Sequence, residues 1–442
     1  MPDASKAPAI FCRWQRPVWV AAAFLIGVAA QAAGRKELFA VPDFNQLPPR
    51  VEIVSSKTQN GVVLQEVFFD GAPFNGQPTR IHGFYARPAG SAKYPAVVQL
   101  HGAGLEVLTT DAALFYAKNG FACLSIDWAG PGKERKTPRT PPFSTFTSPG
   151  NMAVEVGEGN PWRTYGPEQD GITNGVRFVR RSFLFLRSRP EVDANKLFLS
   201  GTSAGAHLSL LVLGVEPGIK AATLKYGTAF IKDLPGYFGG YFGPLTLAPQ
   251  DEQDAWLAVL DPKHGIPDYK ARVLLLSGTD DIFFWMPVVL HTYRQIPSPK
   301  DLLMLPNDNH SQVTNEEVAL RYYQAALGMK PALPKPSDPT VTMEGKGLRL
   351  QTKITASSPP VKVDFVVKRM PVETFRYDED KETGVKWELL PAQKKGDVWS
   401  VSIPAAQPGE QVVAYVLAED GTGARASSDT VEIPAYPKWR GK

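Results

Sequence analysis

The sequence contains very few cysteines. Only Cys12 and Cys123 occur among its 442 residues. Cys12 lies in an N-terminal segment with the features of a cleavable leader, and Cys123 lies in an apolar run typical of a buried strand. A disulfide framework and a zinc site built on cysteine are therefore excluded.

Basic tracts and membrane-length apolar runs are also absent. The formal charge of +4 gives no electrostatic case for binding nucleic acid. The apolar run from Val18 to Ala30 has 13 residues, fewer than the roughly 20 that span a bilayer. It follows a basic region and precedes Ala30-Gln31-Ala32, a pattern typical of a secretory signal. We expect residues 1–32 to be a signal peptide, and the mature protein to be periplasmic or secreted without stable membrane insertion. An uncleaved membrane anchor is the alternative.

The remaining length suits one large and one small domain. Across residues 36–330, apolar strands alternate with segments of helical spacing, which predicts an α/β fold with a mostly parallel sheet and helices on both faces. Residues 331–339 contain four prolines and are predicted to form a stiff, extended linker. Short alternating strands in residues 340–442 predict a small all-β sandwich of the immunoglobulin or fibronectin type.

A candidate nucleophile lies between a predicted strand and a predicted helix. The apolar run from Leu197 to Leu199 ends at Gly-Thr-Ser-Ala-Gly, residues 201–205, and helical spacing follows at once. This is the G-x-S-x-G pattern of a nucleophile elbow. A Cβ at either glycine would collide with a neighbouring element, so the glycines permit a strained backbone that exposes the Ser203 hydroxyl. The alternative is a Gly-rich turn with an ordinary N-cap serine.

A carboxylate and a histidine follow in the order that such a nucleophile requires. The strand from Val273 to Ser277 runs into Gly-Thr-Asp-Asp at residues 278–281. We predict that Asp281 is the acid, with Asp280 as the fallback. A solvated turn is the alternative, because these residues are also good turn formers.

Two histidines lie beyond that acid. His291 falls within a predicted helix, where packing or surface exposure is the default. His310 lies in a polar loop after a strand, at the sheet edge where active sites of α/β folds gather. We predict that His310 is the general base. His207 stands at the wrong place in the chain order and is expected to pack within its helix.

An oxyanion hole requires two backbone donors. One is expected from Ala204, the residue after the nucleophile, and the other from the N–H of Ala103 in the loop His-Gly-Ala-Gly at residues 101–104. A tight turn without a catalytic role is the alternative for this loop.

Two insertions follow core strands at the same edge, near residues 131–170 and 228–262. They are candidates for a cap over Ser203 that stacks on a sugar or holds an apolar acyl group; mutual packing of their aromatic residues is the alternative. Trp128 and Trp285 are candidate substrate-binding residues of the pocket wall. The aromatic residues of the second insertion are Phe230, Tyr237, Phe238, Tyr241 and Phe242.

Through these motifs, residues 60–330 resemble the α/β-hydrolase superfamily, in particular acetyl xylan esterases, dienelactone hydrolase-like proteins and prolyl oligopeptidase-type catalytic domains. The motifs are His-Gly-Ala-Gly at 101–104, Asp-Trp-Ala-Gly-Pro-Gly at 127–132, Gly-Thr-Ser-Ala-Gly, Gly-Thr-Asp-Asp and Pro-Asn-Asp-Asn-His at 306–310. The resemblance implies a serine hydrolase without metal or organic cofactor.

The expected substrate is a small-molecule or carbohydrate ester, and the expected activity is that of an acetyl xylan esterase-like deacetylase. A prolyl oligopeptidase-type peptidase is the alternative. It is disfavoured because too few residues precede the first core strands to form the β-propeller usual in that group.

A non-enzymatic function is the remaining alternative, with the C-terminal sandwich binding polysaccharide or a cell surface. Trp387 and Trp399 are candidates for its binding platform, although tryptophans of such sandwiches are more often buried.

Overall fold

The computed structural model describes residues 34–40, 49–73, 78–102, 108–128, 170–234, 250–310, 316–371 and 385–434. The predicted signal peptide lies outside these ranges, as do residues 129–169, which include nearly all of the first predicted insertion, and residues 235–249 of the second. Among the described residues, no helix is both long enough and apolar enough to cross a membrane.

A twisted, mostly parallel sheet forms the centre of the N-terminal unit, residues 34–330. Its strands run in the order β1-β2-β3-β5-β4-β6-β7-β8-β9. The first three are antiparallel to their neighbours, and the pairs from β5 to β9 are parallel. The strands are β1 (Val51–Gln59), β2 (Val62–Asp70), β3 (Arg80–Pro88), β4 (Tyr94–Leu100), β5 (Ala122–Ile126), β6 (Val192–Thr202), β7 (Ile219–Lys225), β8 (Arg272–Gly278) and β9 (Lys300–Leu305).

Helices cover both faces of this sheet, as the alternating pattern predicted. The helices are α1 (Asp111–Lys118), α2 (Gly171–Arg187), α3 (Ala204–Leu213), α4 (Gln250–Leu260), α5 (Met286–Gln295) and α6 (Glu317–Ala326). Phe198 of β6 stacks on Tyr323 of α6, with ring centroids 4.6 Å apart. Three positions further on, Gly201 points at α3, where an added Cβ would lie 2.4 Å from Ser209 Oγ. Since side chains alternate along a strand, α6 and α3 lie on opposite faces.

The C-terminal unit, residues 331–434, is a β-sandwich with a core of its own. Leu350 on one sheet and Phe365 and Val416 on the other are completely buried in this core. The first sheet pairs β10, β12, β16 and β15 in that order, with β11 on β12. The strands are β10 (Lys335–Pro336), β11 (Thr340–Glu344), β12 (Gly347–Thr355), β13 (Pro360–Pro371), β14 (Glu388–Pro391), β15 (Gln393–Lys395), β16 (Val398–Pro404), β17 (Glu410–Asp420), β18 (Arg425–Ser427) and β19 (Val431–Ile433).

The second sheet of the sandwich continues the sheet of the N-terminal unit. Ser427 of β18 pairs with Leu302 of β9, and its hydroxyl accepts a hydrogen bond from Met304 N at 2.7 Å. From there the order runs β18-β17-β13-β14. The outer edge of β9 is therefore covered by the C-terminal unit.

The Pro-rich segment 331–339, predicted to be a stiff, extended linker, includes a short edge strand of the C-terminal unit. Lys335 and Pro336 pair with β12, and Ser337 N donates to Lys353 O at 2.8 Å. The proline-fixed backbone is already extended, which suits it to a short edge strand.

Trp387 does not form an exposed platform with Trp399. Only 2 % of its surface is accessible, because its ring packs edge-on against Tyr415 with centroids 5.7 Å apart. Tyr415 in turn donates a hydrogen bond to Met304 O of β9 at 3.3 Å. Trp387 therefore belongs to the contact between the two units, and Trp399 is half-buried on the other sheet.

A buried ion pair ties the sheet to the start of α6. Lys225 Nζ lies 2.8 Å from Glu316 Oε1, and the two side chains are 0 % and 5 % exposed. The other carboxylate oxygen of Glu316 accepts hydrogen bonds from Tyr116 at 2.9 Å and Ser200 at 2.6 Å. Each buried charge is thus paired and hydrogen-bonded, as burial of an ion requires.

We predict that Glu316→Gln destabilises the fold, because it leaves the buried Lys225 ammonium without a counter-charge. The free energy of unfolding should fall by about 3–5 kcal/mol, measured by denaturant titration. Asp254→Asn is the control, since Asp254 pairs with Lys232 at the surface; it should change stability far less. A loss below about 1 kcal/mol for Glu316→Gln would contradict the prediction.

Candidate active site

Ser203 lies on a sharp turn between β6 and α3. Its backbone has φ 56° and ψ −119°, a region that non-glycine residues rarely adopt. A Cβ on Gly201 would lie 2.3 Å from Gly205 O, and one on Gly205 would lie 2.5 Å from His101 O. Both glycines are therefore required by close backbone contacts, as the sequence predicted. The turn is held by a 2.7 Å hydrogen bond from Ser203 N to Lys225 O.

The structure brings Ser203, His310 and Asp281 together although they are far apart in sequence. His310 Nε2 lies 2.9 Å from Ser203 Oγ, and His310 Nδ1 lies 2.9 Å from Asp281 Oδ2. The nucleophile, the imidazole and the carboxylate thus form one continuous line of hydrogen bonds. This is the arrangement in which the carboxylate fixes the ring and the ring accepts the proton of the serine.

The structure distinguishes between the two adjacent aspartates. We call residues 279–285, between β8 and α5, the acid loop. Asp281 is buried and directed at His310, and its other oxygen accepts hydrogen bonds from Phe283 N at 2.8 Å and Phe284 N at 2.9 Å. Asp280 instead accepts a hydrogen bond from Trp387 Nε1 at 3.2 Å. The backbone amides of the acid loop therefore orient Asp281.

His310 ends a short segment, residues 306–310, that we call the histidine loop. Its backbone has φ 100°, and its N–H donates to Asp308 Oδ1 at 3.1 Å. The other oxygen of Asp308 accepts a hydrogen bond from Tyr226 OH. Asp308 is fully buried, so it holds the strained backbone in place.

Aromatic rings surround the imidazole of His310. The Tyr226, Phe283 and Phe284 rings lie with their centroids 4.8, 4.9 and 5.8 Å from it. Sequence reasoning did not single out these three residues, although two of them lie only two and three positions after Asp281. Their contacts limit the movement of the ring, and the His310 side chain is 16% exposed.

Ala204, which is expected to supply one oxyanion donor, is the first residue of α3. The first amides of a helix have no partner within it. Gly102 also approaches closely, since a Cβ there would lie 3.2 Å from Ser203 Cβ. Ala103 lies outside the described residues, so its amide stays a sequence prediction.

The two candidate substrate-binding tryptophans are in the interior rather than on an open pocket wall. Trp128 is buried, donates a hydrogen bond to His101 O at 3.0 Å and stacks on the His101 ring. Trp128 therefore packs against His101, the first residue of the predicted oxyanion loop. Trp285 is also buried, at the start of α5. Both were candidates for the pocket wall because they lie just past strands that carry functional loops, but large apolar rings at those positions are buried.

The described part of the second insertion includes Phe230 and the helix α4. The Phe230 ring packs edge-on against His291, with centroids 4.1 Å apart. Tyr237, Phe238, Tyr241 and Phe242 lie outside the described residues, as does the first insertion except Asp170. The predicted cap therefore stays a prediction.

Neither of the other downstream or adjacent histidines joins the site. His207 is fully buried in α3, where desolvation lowers its pKa to about 3, so the ring is neutral. His291 packs against Phe230, and its pKa is also lowered by burial. Within the described residues, no group of three or more His, Cys, Asp or Glu side chains is arranged to hold a metal ion.

Comparison with known proteins shows two family matches. The model of the acetyl xylan esterase family matches residues 40–234, and that of the PhoPQ-activated pathogenicity-related proteins matches residues 209–374. The acetyl esterase Axe7A of Xylanibacter ruminicola is 26% identical over 240 residues, which are 52% of this chain and 52% of that protein. The chain thus matches about half the length of this curated relative.

One of the solved structures shows the same fold. The acetyl xylan esterase from Paenibacillus sp. R4 superposes with a TM-score of 0.52 at 23% identity, covering 66% of this chain and 92% of that one. Acetyl xylan esterase 1 from Thermoanaerobacterium sp. gives a TM-score of 0.49 at 20% identity, covering 68% and 93%. The N-terminal unit has the α/β-hydrolase fold, and the chain resembles acetyl xylan esterases, as its motifs predicted.

We predict that Asp281→Asn and Asp280→Asn differ sharply, although the changes are chemically identical. Asparagine at 281 disturbs the hydrogen bond that sets the imidazole tautomer, so labelling of Ser203 by a fluorophosphonate should slow by about 10³-fold or more. Asparagine at 280 keeps an oxygen for Trp387, and labelling should slow by less than about tenfold. Equal losses in the labelling rates of the two variants would contradict this assignment.

Proposed function

We propose that this protein is a carboxylic ester hydrolase that uses Ser203 as its nucleophile. The continuous hydrogen bonding from Asp281 through His310 to Ser203, on a strained strand-to-helix turn, is the observation that carries the proposal. The match to the acetyl xylan esterase family supports it and favours acetyl esters as substrates.

In the first half of the reaction, Ser203 Oγ bonds to the ester carbonyl carbon while its proton passes to His310 Nε2. Asp281 stabilises the imidazolium that forms. The Ala204 amide at the helix N-terminus donates to the oxyanion, together with the predicted donor at Ala103. The tetrahedral species then collapses, the bond to the alcohol oxygen breaks, and that oxygen takes the proton from His310.

In the second half, water replaces the alcohol. His310 accepts a proton from water as the water oxygen bonds to the acyl carbon. Collapse of this second tetrahedral species breaks the bond to Ser203 Oγ, which recovers its proton from His310. The acid is released, and the site returns to its starting state.

The decisive experiment is hydrolysis by the full-length protein and its Ser203→Ala variant. We expect the unmodified protein to hydrolyse p-nitrophenyl acetate and to release acetate from acetylated xylan. Ser203→Ala should lower kcat by about 10⁴-fold or more. Ser188→Ala is the control, because Ser188 lies at the end of α2 and its hydroxyl bonds to the nearby residues Phe185 and Arg189.

Two outcomes would redirect the proposal. Turnover that survives Ser203→Ala would show that another group is the nucleophile. Cleavage of proline p-nitroanilide peptides in preference to acetyl esters would instead favour the prolyl oligopeptidase-type alternative.

We further propose that the protein is exported, with a signal peptide that ends at Ala32. The first described residues support this, because the chain is docked on the N-terminal unit only a few positions later. Arg177 donates two hydrogen bonds to Leu38 O, at 2.7 and 3.0 Å, and Arg180 donates one to Phe39 O at 2.7 Å. These contacts leave the predicted cleavage site upstream of the folded body.

We predict that protein recovered after expression with an intact export pathway begins at residue 33. N-terminal sequencing or intact-mass measurement checks this, and replacing Ala30 and Ala32 by bulky residues should block processing. A mature chain that retains residues 1–32 would contradict the signal peptide and favour a membrane anchor.

A further inference from the structure

The contact between the two units is hydrogen-bonded to the two loops that carry Asp281 and His310. Trp387 lies in the segment that leads into β14, and its buried ring packs edge-on against the ring of Tyr415. Tyr415 bonds to the carbonyl of Met304 in β9, the strand that leads into the histidine loop. Trp387 is thus positioned to act on the loops that follow β8 and β9.

Trp387 is joined to the histidine loop through its backbone. Its N–H donates to Asn307 Oδ1 at 2.9 Å, and its carbonyl accepts from Asn307 Nδ2 at 3.0 Å. The side-chain amide of Asn307 therefore makes the same pair of hydrogen bonds with the backbone of Trp387 that a neighbouring strand would make. Asn307 has φ 60°, and its own N–H donates to Thr279 Oγ1 at 2.8 Å. This fixes the backbone three residues before His310.

The same residue is joined to the acid loop through its side chain. Trp387 Nε1 donates to Asp280 Oδ1 at 3.2 Å, and Asp280 N donates to Asp308 O at 3.0 Å. The indole therefore holds the carboxylate of Asp280 away from His310, which leaves the imidazole to Asp281. Asp280 in turn connects the acid loop to the histidine loop through its hydrogen bond to Asp308.

We propose that Trp387 is a positioning residue of the active site, by which the C-terminal unit holds the acid loop and the histidine loop in register. This role rests on the proposed function, because it acts on the geometry of His310 and Asp281. An imidazole displaced by as little as ~1 Å costs about 10²-fold in rate. Loss of a residue that fixes both loops should therefore change kcat more than KM.

Two variants separate the two halves of this contact. Trp387→Phe deletes the indole N–H but keeps an aromatic ring and the backbone bonds to Asn307. Asn307→Gly deletes both bonds to residue 387, and glycine adopts φ 60° without strain. Trp399→Phe is the matched control, since Trp399 lies in the same unit on the opposite sheet, beside Lys394.

We expect Trp387→Phe and Asn307→Gly each to lower kcat for p-nitrophenyl acetate by about tenfold, with KM changed by less than about twofold. Fluorophosphonate labelling of Ser203 should slow by the same factor. Trp399→Phe should leave kcat and KM at the values of the unmodified protein. Thermal unfolding of each variant checks that it is folded, and Asn307→Gly decides the matter if Trp387→Phe does not fold.

A double-variant cycle distinguishes positioning from loss of packing. If the indole acts through Asp280, Trp387→Phe should have no further effect on kcat in an Asp280→Ala background. A loss of core packing would instead lower kcat by the same factor in both backgrounds.

The proposal is overturned if both single variants keep the kcat of the unmodified protein, or if the Trp387→Phe effect is independent of Asp280. In either case, Ser203-dependent hydrolysis still stands. If the unmodified protein shows neither hydrolysis nor labelling, the proposed function fails and the positioning role fails with it.

Discussion

The close approach of backbones around Ser203 is the constraint on which the rest of the structure depends. The turn places a serine at φ 56°, and two glycines make that possible because carbonyl oxygens occupy the space a Cβ would need. A backbone held in this way costs on the order of 1–3 kcal/mol, so its surroundings have to fix it. Lys225 contributes two contacts. Its carbonyl accepts a hydrogen bond from Ser203 N, and its ammonium forms an ion pair with Glu316.

The same strategy recurs around the histidine. His310 also has a positive φ, and its loop is fixed from one side by Asp308 and Tyr226 and from the other by Asn307 and Trp387. Conformational strain at the chemical centre is thus balanced by buried polar contacts one layer away. Such contacts keep the reacting groups aligned before substrate arrives.

Much of the N-terminal unit was predictable because its strands are buried runs flanked by helical periodicity. The parallel strands from β4 to β9 and the helices between them show the alternation that the sequence predicted for this part of the chain. The strand β1 was missed for a physical reason: it is an edge strand exposed along almost its whole length, so its sequence carries no apolar alternation. The helix α4 was not predicted; it lies in the second insertion, which the sequence analysis described only by its aromatic residues as a candidate cap.

The candidate site shows the same division. The positions of Ser203, Asp281 and His310 follow from motifs at the ends of strands, where an α/β sheet gathers its loops. The supporting residues Tyr226 and Trp387 have no local signal, since each acts through contacts between segments far apart in sequence. Trp128 and Trp285 show the opposite error, because a position just past a strand that carries a functional loop suggested a pocket wall, whereas both side chains are buried.

The shared sheet also has a consequence for any attempt to shorten the chain. The pairing of Ser427 with Leu302 closes the outer margin of β9. Cutting at the Pro-rich segment would uncover that margin together with the surface that now packs on Tyr415. An unpaired strand beside apolar side chains that have become exposed to solvent is a template for pairing with another molecule. The α/β half expressed by itself would therefore tend to self-associate through β9 and precipitate.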